Sequence, residues 1–77
     1  MEIRRTVIDM EIIQIIHTYE GYIVITRFPN TFRQYRFNIH KDGRVYGYTN
    51  GQWLELTYST SELLKRRIRK AYPDITI

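Results

Sequence analysis

Between Tyr22 and Tyr58 the chain runs in short stretches of alternating apolar and polar side chains, separated by turn residues. That is the pattern of strands with one face in a core. Tyr22 to Phe28 is rich in β-branched residues and stops at Pro29-Asn30. Phe32 to His40 follows, then Lys41-Asp42-Gly43, then Arg44 to Tyr48. Asn50-Gly51 suits a two-residue hairpin loop, because both residue types tolerate the positive φ of a type I′ turn. Gln52 to Tyr58 then completes a meander of four strands.

Turn chemistry sets the register. A two-residue loop at Asn50-Gly51 pairs Thr49 with Gln52, Tyr48 with Trp53, Gly47 with Leu54 and Tyr46 with Glu55. Lys41-Asp42-Gly43 fits a three-residue loop with glycine in the left-handed region, which pairs Ile39 with Val45 and Phe37 with Gly47. Directly paired residues share a face of the sheet. One face therefore collects Tyr35, Phe37, Ile39, Val45, Leu54 and Leu56, a coherent core. The other collects Arg36, Asn38, His40, Arg44, Tyr46, Tyr48, Trp53 and Glu55. A one-residue slip would mix the two sets, so the separation itself supports this register. Ile23 and Ile25 are expected on the core side, with the length of the Pro29 turn deciding the matter.

The two ends of the chain read as helices. In Thr6 to Tyr19, Ile8, Ile12, Ile15, Ile16 and Tyr19 form a helical stripe, with Thr6 and Asp9 as a capping box and Gly21 as a stop. Six isoleucines and valines in the same segment favour a strand. The adjacent pairs Ile12-Ile13 and Ile15-Ile16 break strict alternation, so a helix is the expectation. Ser59 to Pro73 is the second helix, capped by Ser59 with Glu62 and halted by Pro73. Leu64, Ile68, Ala71 and Tyr72 make its apolar stripe, while Lys65, Arg66, Arg69 and Lys70 project from another arc. Both helices would cover the one apolar face. The expected fold is α+β, a two-layer sandwich ordered α-β-β-β-β-α, with a four-stranded antiparallel meander and one sheet face open.

Size and composition bound what this fold does. Seventy-seven residues make a single small domain, 1–77, with one modest core to which a homodimer would add buried surface. A hydrophobic fraction of 43% is too high for a disordered chain. There is no cysteine and no apolar run of membrane-spanning length, so a chain free in the cytoplasm is expected. The net charge of +4 is uneven: residues 1–20 sum to −2 and residues 21–77 to +6. The positive charge thus belongs to the sheet and the last helix.

The chemistry that would define an enzyme is missing from the pattern. His17 and His40 stand apart from acidic residues at metal spacing, and no nucleophile motif or phosphate loop occurs, so neither catalysis, a metal nor a cofactor is expected. Two binding functions fit better. In the first, the chain is a small non-enzymatic nucleic-acid-binding protein. Lys65, Arg66, Arg69 and Lys70 meet phosphates of DNA or RNA, while Arg36, Arg44, Tyr46, Tyr48 and Trp53 offer an adjoining surface for stacking. The alternative is a protein-interaction module, such as a small inhibitor, adaptor or regulatory subunit, docking through the aromatic sheet face. Ridge and face lie on opposite sides of one layer, so a single nucleic acid would need Arg33, Arg67 or the sheet edge to join them.

Overall fold

The computed structural model describes residues 10–28 and 33–77. Their elements run β1 (Glu11–Thr18), β2 (Gly21–Arg27), β3 (Gln34–His40), β4 (Val45–Thr49), β5 (Gln52–Glu55) and α1 (Tyr58–Ala71). The strands form one antiparallel sheet in chain order, and the helix packs on one of its faces. The α+β class holds. The layout differs from the expected one: among the described residues there are five strands and one helix, not four strands between two helices.

Residues 11–18 are the source of that difference. They pair with β2 from Glu11 opposite Arg27 to Thr18 opposite Gly21, and a bulge falls between Ile12 and Gln14. Ile13 is the extra residue, so Ile12-Ile13 breaks the alternation without breaking the strand. The second pair, Ile15-Ile16, is ordinary strand with apolar residues on both faces: Ile15 lies opposite Val24 and Ile16 opposite Ile23. A helical stripe and a bulged strand put isoleucines at the same positions here, and the β-branched content decides for the strand. The Thr6–Asp9 capping box and the Pro29-Asn30 turn lie outside the described residues.

The meander follows the expected register. Thr49 opposes Gln52, Tyr48 opposes Trp53, Gly47 opposes Leu54 and Tyr46 opposes Glu55. Ile39 opposes Val45 and Phe37 opposes Gly47. Asn50 and Gly51 both have positive φ, and Gly43 closes its loop at φ +98°. The parity of β2 is the reverse of the expected one. Val24 faces Phe37 and is fully buried, as is Thr26, whereas Ile23 and Ile25 lie on the other face opposite Asn38 and Arg36. The hydroxyl of Thr26 sits 3.0 Å from the carbonyl oxygen of Tyr35, which satisfies a polar group inside the core.

Met10, Val24, Phe37, Ile39, Val45, Leu64 and Ile68 form the buried cluster. The helix supplies Leu64 and Ile68 at i and i+4, so one stripe seals the sheet. It begins two residues earlier than the Ser59–Glu62 capping box implies. Thr57 is the N-cap, its hydroxyl accepts from the Thr60 amide at 3.4 Å, and the Ser61 amide donates to the Thr57 carbonyl. Glu62 instead faces Lys65 at 3.6 Å. Tyr72, held out of helical geometry before Pro73, ends the helix while its amide still reaches Ile68. With one helix among the described residues, the β5 end of the covered face is only partly shielded. Leu54 is half exposed there, over a cleft of about 450 Å³ shared with Tyr35, Phe37 and Gly47. No helix among the described residues is long and apolar enough to cross a membrane.

One glycine is demanded by packing and another only by its turn. A Cβ on Gly21, at φ +149°, would run into the carbonyl oxygen of Ile39, while a Cβ on Gly51, at φ +79°, would meet nothing. In urea titrations Gly51→Ala should cost about 1 kcal/mol, the strain of a left-handed alanine. Gly21→Ala should cost roughly 3 kcal/mol or more, because backbone must also move. Equal losses at the two sites would show that the β2–β3 approach is looser than this geometry requires.

Candidate functional site

The open face of the sheet is built by two rows of side chains that cross it. The first row runs Ile16, Ile23, Asn38, Tyr46, Glu55, each opposite the next across a strand boundary. The second begins Gln14, Ile25, Arg36. One step beyond the last β3–β4 pair it continues with Tyr48, which opposes Trp53. The face is therefore divided. Its β1–β2 side carries Ile16, Ile23 and Ile25, its β4–β5 side carries Tyr46, Tyr48 and Trp53, and β3 places Arg36 and Asn38 between them.

Exposure on this face is substantial: Ile16, Tyr48 and Trp53 each keep about 40% of their surface. Tyr48 and Trp53 meet edge to face with ring centroids 5.1 Å apart, and His40 leans on Tyr46 at a similar distance. Arg36 is exposed and makes no hydrogen bond or ion pair among the described residues. Asn38 has its Oδ1 buried with no hydrogen-bond partner. Arg44 stands at the end of the face, where the Asp42 carboxylate accepts its backbone amide at 3.0 Å. The Tyr46 side chain, and after it the Asp42 charge, raise the Arg44 pKa above its ordinary value, so this group is a permanent cation.

The helix cations are not equivalent. Lys65 keeps only 12% of its side-chain surface, and its ammonium is 3.6 Å from Glu62. Its Nζ lies close to Gly43 in the β3–β4 turn. Arg66, Arg69 and Lys70 are exposed on one arc, and Arg69 Nη1 donates to the Ile77 carbonyl at 3.1 Å. Two of these three, Arg69 and Lys70, sit in the last helical turn, where cations also stabilise the helix dipole. Arg67 does not connect the helix to the open face, since its Nη2 donates to the Met10 carbonyl at 2.8 Å on the covered side.

The structure thus gathers Arg36, Tyr46, Tyr48 and Trp53 on one surface, with Arg44 at its end. Arg66, Arg69 and Lys70 occupy a second surface across the sheet, and Lys65 is largely withdrawn from it. Sequence reasoning missed Ile16, Ile23 and Ile25 on the open face. The available signal was Tyr19-Glu20, a two-residue loop between β-branched runs, which reads as a hairpin once residues 11–18 are taken as a strand. His17 stacks on Tyr22 at 4.7 Å, His40 lies 3.9 Å from Glu20, and no group of metal-binding side chains occurs among the described residues.

Fold and surface together define a five-stranded antiparallel meander sealed on one face by a C-terminal helix and open on the other. No family model matches the chain, and no significant match is found among curated proteins or solved structures.

The open-face aromatics are separable from the core. Trp53→Ala should cost about 1 kcal/mol or less, the size of one cross-strand pair. Phe37→Ala, which empties a buried position on the other face of the sheet, should cost about 3–5 kcal/mol. Thermal and urea unfolding of both variants checks the contrast, and a Trp53→Ala loss as large as that of Phe37→Ala would place the indole in the folding core.

Proposed function

We propose that this chain is a small non-enzymatic interaction module that docks a protein through the open face of its sheet. One observation carries the reading. The three isoleucines from β1 and β2 and the three aromatics from β4 and β5 flank Arg36 and Asn38 on one open face, and that arginine has no ion-pair partner among the described residues. Single-stranded nucleic acid uses aromatic rings and cations but has no use for an aliphatic half-face, whereas aromatic residues and arginine over an apolar centre are what protein interfaces are enriched in. The withdrawal of Lys65 points the same way, because it thins the ridge that phosphates would meet.

A nucleic-acid role remains the second reading, favoured by the exposed arc of Arg66, Arg69 and Lys70. There DNA or RNA would be held mainly by phosphate contacts, without base-specific readout.

Two variants separate the readings: Ile23→Asp with Trp53→Ala on the sheet, and Arg66→Gln with Arg69→Gln and Lys70→Gln on the helix. The expected result is that a protein captured by the immobilised wild-type chain is lost with the sheet variant and retained with the helix variant. Fluorescence anisotropy with labelled single- and double-stranded DNA and RNA, at about 50 and 200 mM salt, should then show only weak binding. Tight, steeply salt-dependent binding that vanishes in the helix variant alone would overturn the protein-docking reading in favour of nucleic acid.

A further inference from the structure

The arrangement of the open face narrows its occupant. Resting on the docking function proposed above, we infer that the occupant is a second copy of the same chain. The two copies pack sheet to sheet about a two-fold axis that lies between the sheets and runs across the strands at the level of Phe37.

A rotation about such an axis lays each strand on its own equivalent, running the other way, and exchanges the two rows of side chains. The row Ile16, Ile23, Asn38, Tyr46, Glu55 then faces the row Gln14, Ile25, Arg36, Tyr48, Trp53 of the second copy. Ile23 meets Ile25, Tyr46 meets Tyr48, and Asn38 meets Arg36, each contact occurring twice, as an isologous interface requires. The central pair is the specific element. In the single chain Asn38 Oδ1 is a buried acceptor with no donor, and Arg36 is an exposed cation with no partner among the described residues. Rotation of the half-buried carboxamide presents Oδ1 to the guanidinium of the second copy, a charge-assisted hydrogen bond that satisfies both. A two-fold axis along the strands would instead set Arg36 against Arg36, with like charges at the centre of the contact.

The area available sets the expected strength. Five strands about 4.8 Å apart, the central ones seven residues at about 3.4 Å each, give a face of roughly 500 Å² before side-chain relief. Two such faces bury about 1,000 Å² or somewhat more, at the low end for a specific interface, so a reversible dimer in the micromolar range is expected. Aligned packing of twisted sheets, about 30° apart, suits this geometry.

Sedimentation equilibrium of the full chain, from about 5 to 500 µM, tests the inference. The expected result is a shift from 9.4 kDa towards twice that mass. Ile23→Asp should abolish it. Arg36→Asn and Asn38→Arg should each weaken association about tenfold or more, and the double exchange should restore it, because the reciprocal pair is rebuilt with its members swapped. Circular dichroism reports whether each variant is folded; should Ile23→Asp unfold, the Arg36 and Asn38 series decides alone. A chain that is monomeric throughout overturns the second copy as occupant, and the capture result then judges docking of another protein by this face separately. A dimer that none of these substitutions moves also overturns the inference, since it must form elsewhere.

Discussion

Leu64 and Ile68, one helical turn apart, lie fully buried against Val24, Phe37, Ile39 and Val45, and that contact orders the rest of the molecule. A sheet has two faces and its side chains alternate between them, so choosing which face the helix seals assigns every strand residue to one side. Phe37 inward means Arg36 and Asn38 outward; Val24 inward means Ile23 and Ile25 outward. Local turns decide which residues share a face, and the helix decides which of the two faces is left open. The open face is what remains once a single amphipathic stripe has covered the better apolar surface.

That constraint also explains how the charges are distributed. Helix positions flanking Leu64 and Ile68 lie near the sheet, so Lys65 brings its ammonium to Gly43 of the β3–β4 turn and Arg67 reaches the Met10 carbonyl. Only positions on the far arc, among them Arg66, Arg69 and Lys70, face outward. A run of basic residues in a sequence thus becomes two populations in the fold: one that secures the helix to the sheet, and one that remains available. Because burying a long cationic side chain covers apolar surface with its methylenes, the secured group has a structural use that needs no anion.

The edges of the sheet are treated differently. β1 carries a bulge at Ile13, which twists an edge strand and disfavours pairing with another chain. β5 is only four residues long. Both edges are therefore poor templates for strand addition, while the open face between them carries isoleucines and aromatics on either side of Arg36 and Asn38.

Much of this was legible in the amino-acid sequence, for a local reason. Asn50-Gly51 and Asp42-Gly43 demand particular turn geometries, and those turns fix which residues of β3, β4 and β5 oppose one another; the placement of Arg36, Arg44, Tyr46, Tyr48 and Trp53 on one side follows directly. Pro73 likewise sets the end of the helix. Three things were decided only by tertiary structure. Residues 11–18 have a helical stripe and a β-branched composition at once, and pairing with β2 turns the balance. The parity of β2 depends on alignment with β3 over its full length, which no short turn signal between them specifies. The exposure of each basic residue depends on how the helix sits against the sheet. Turns are settled by the φ preferences of two or three adjacent residues, whereas parity and burial are settled by contacts between segments far apart in the chain, and sequence pattern alone does not carry those.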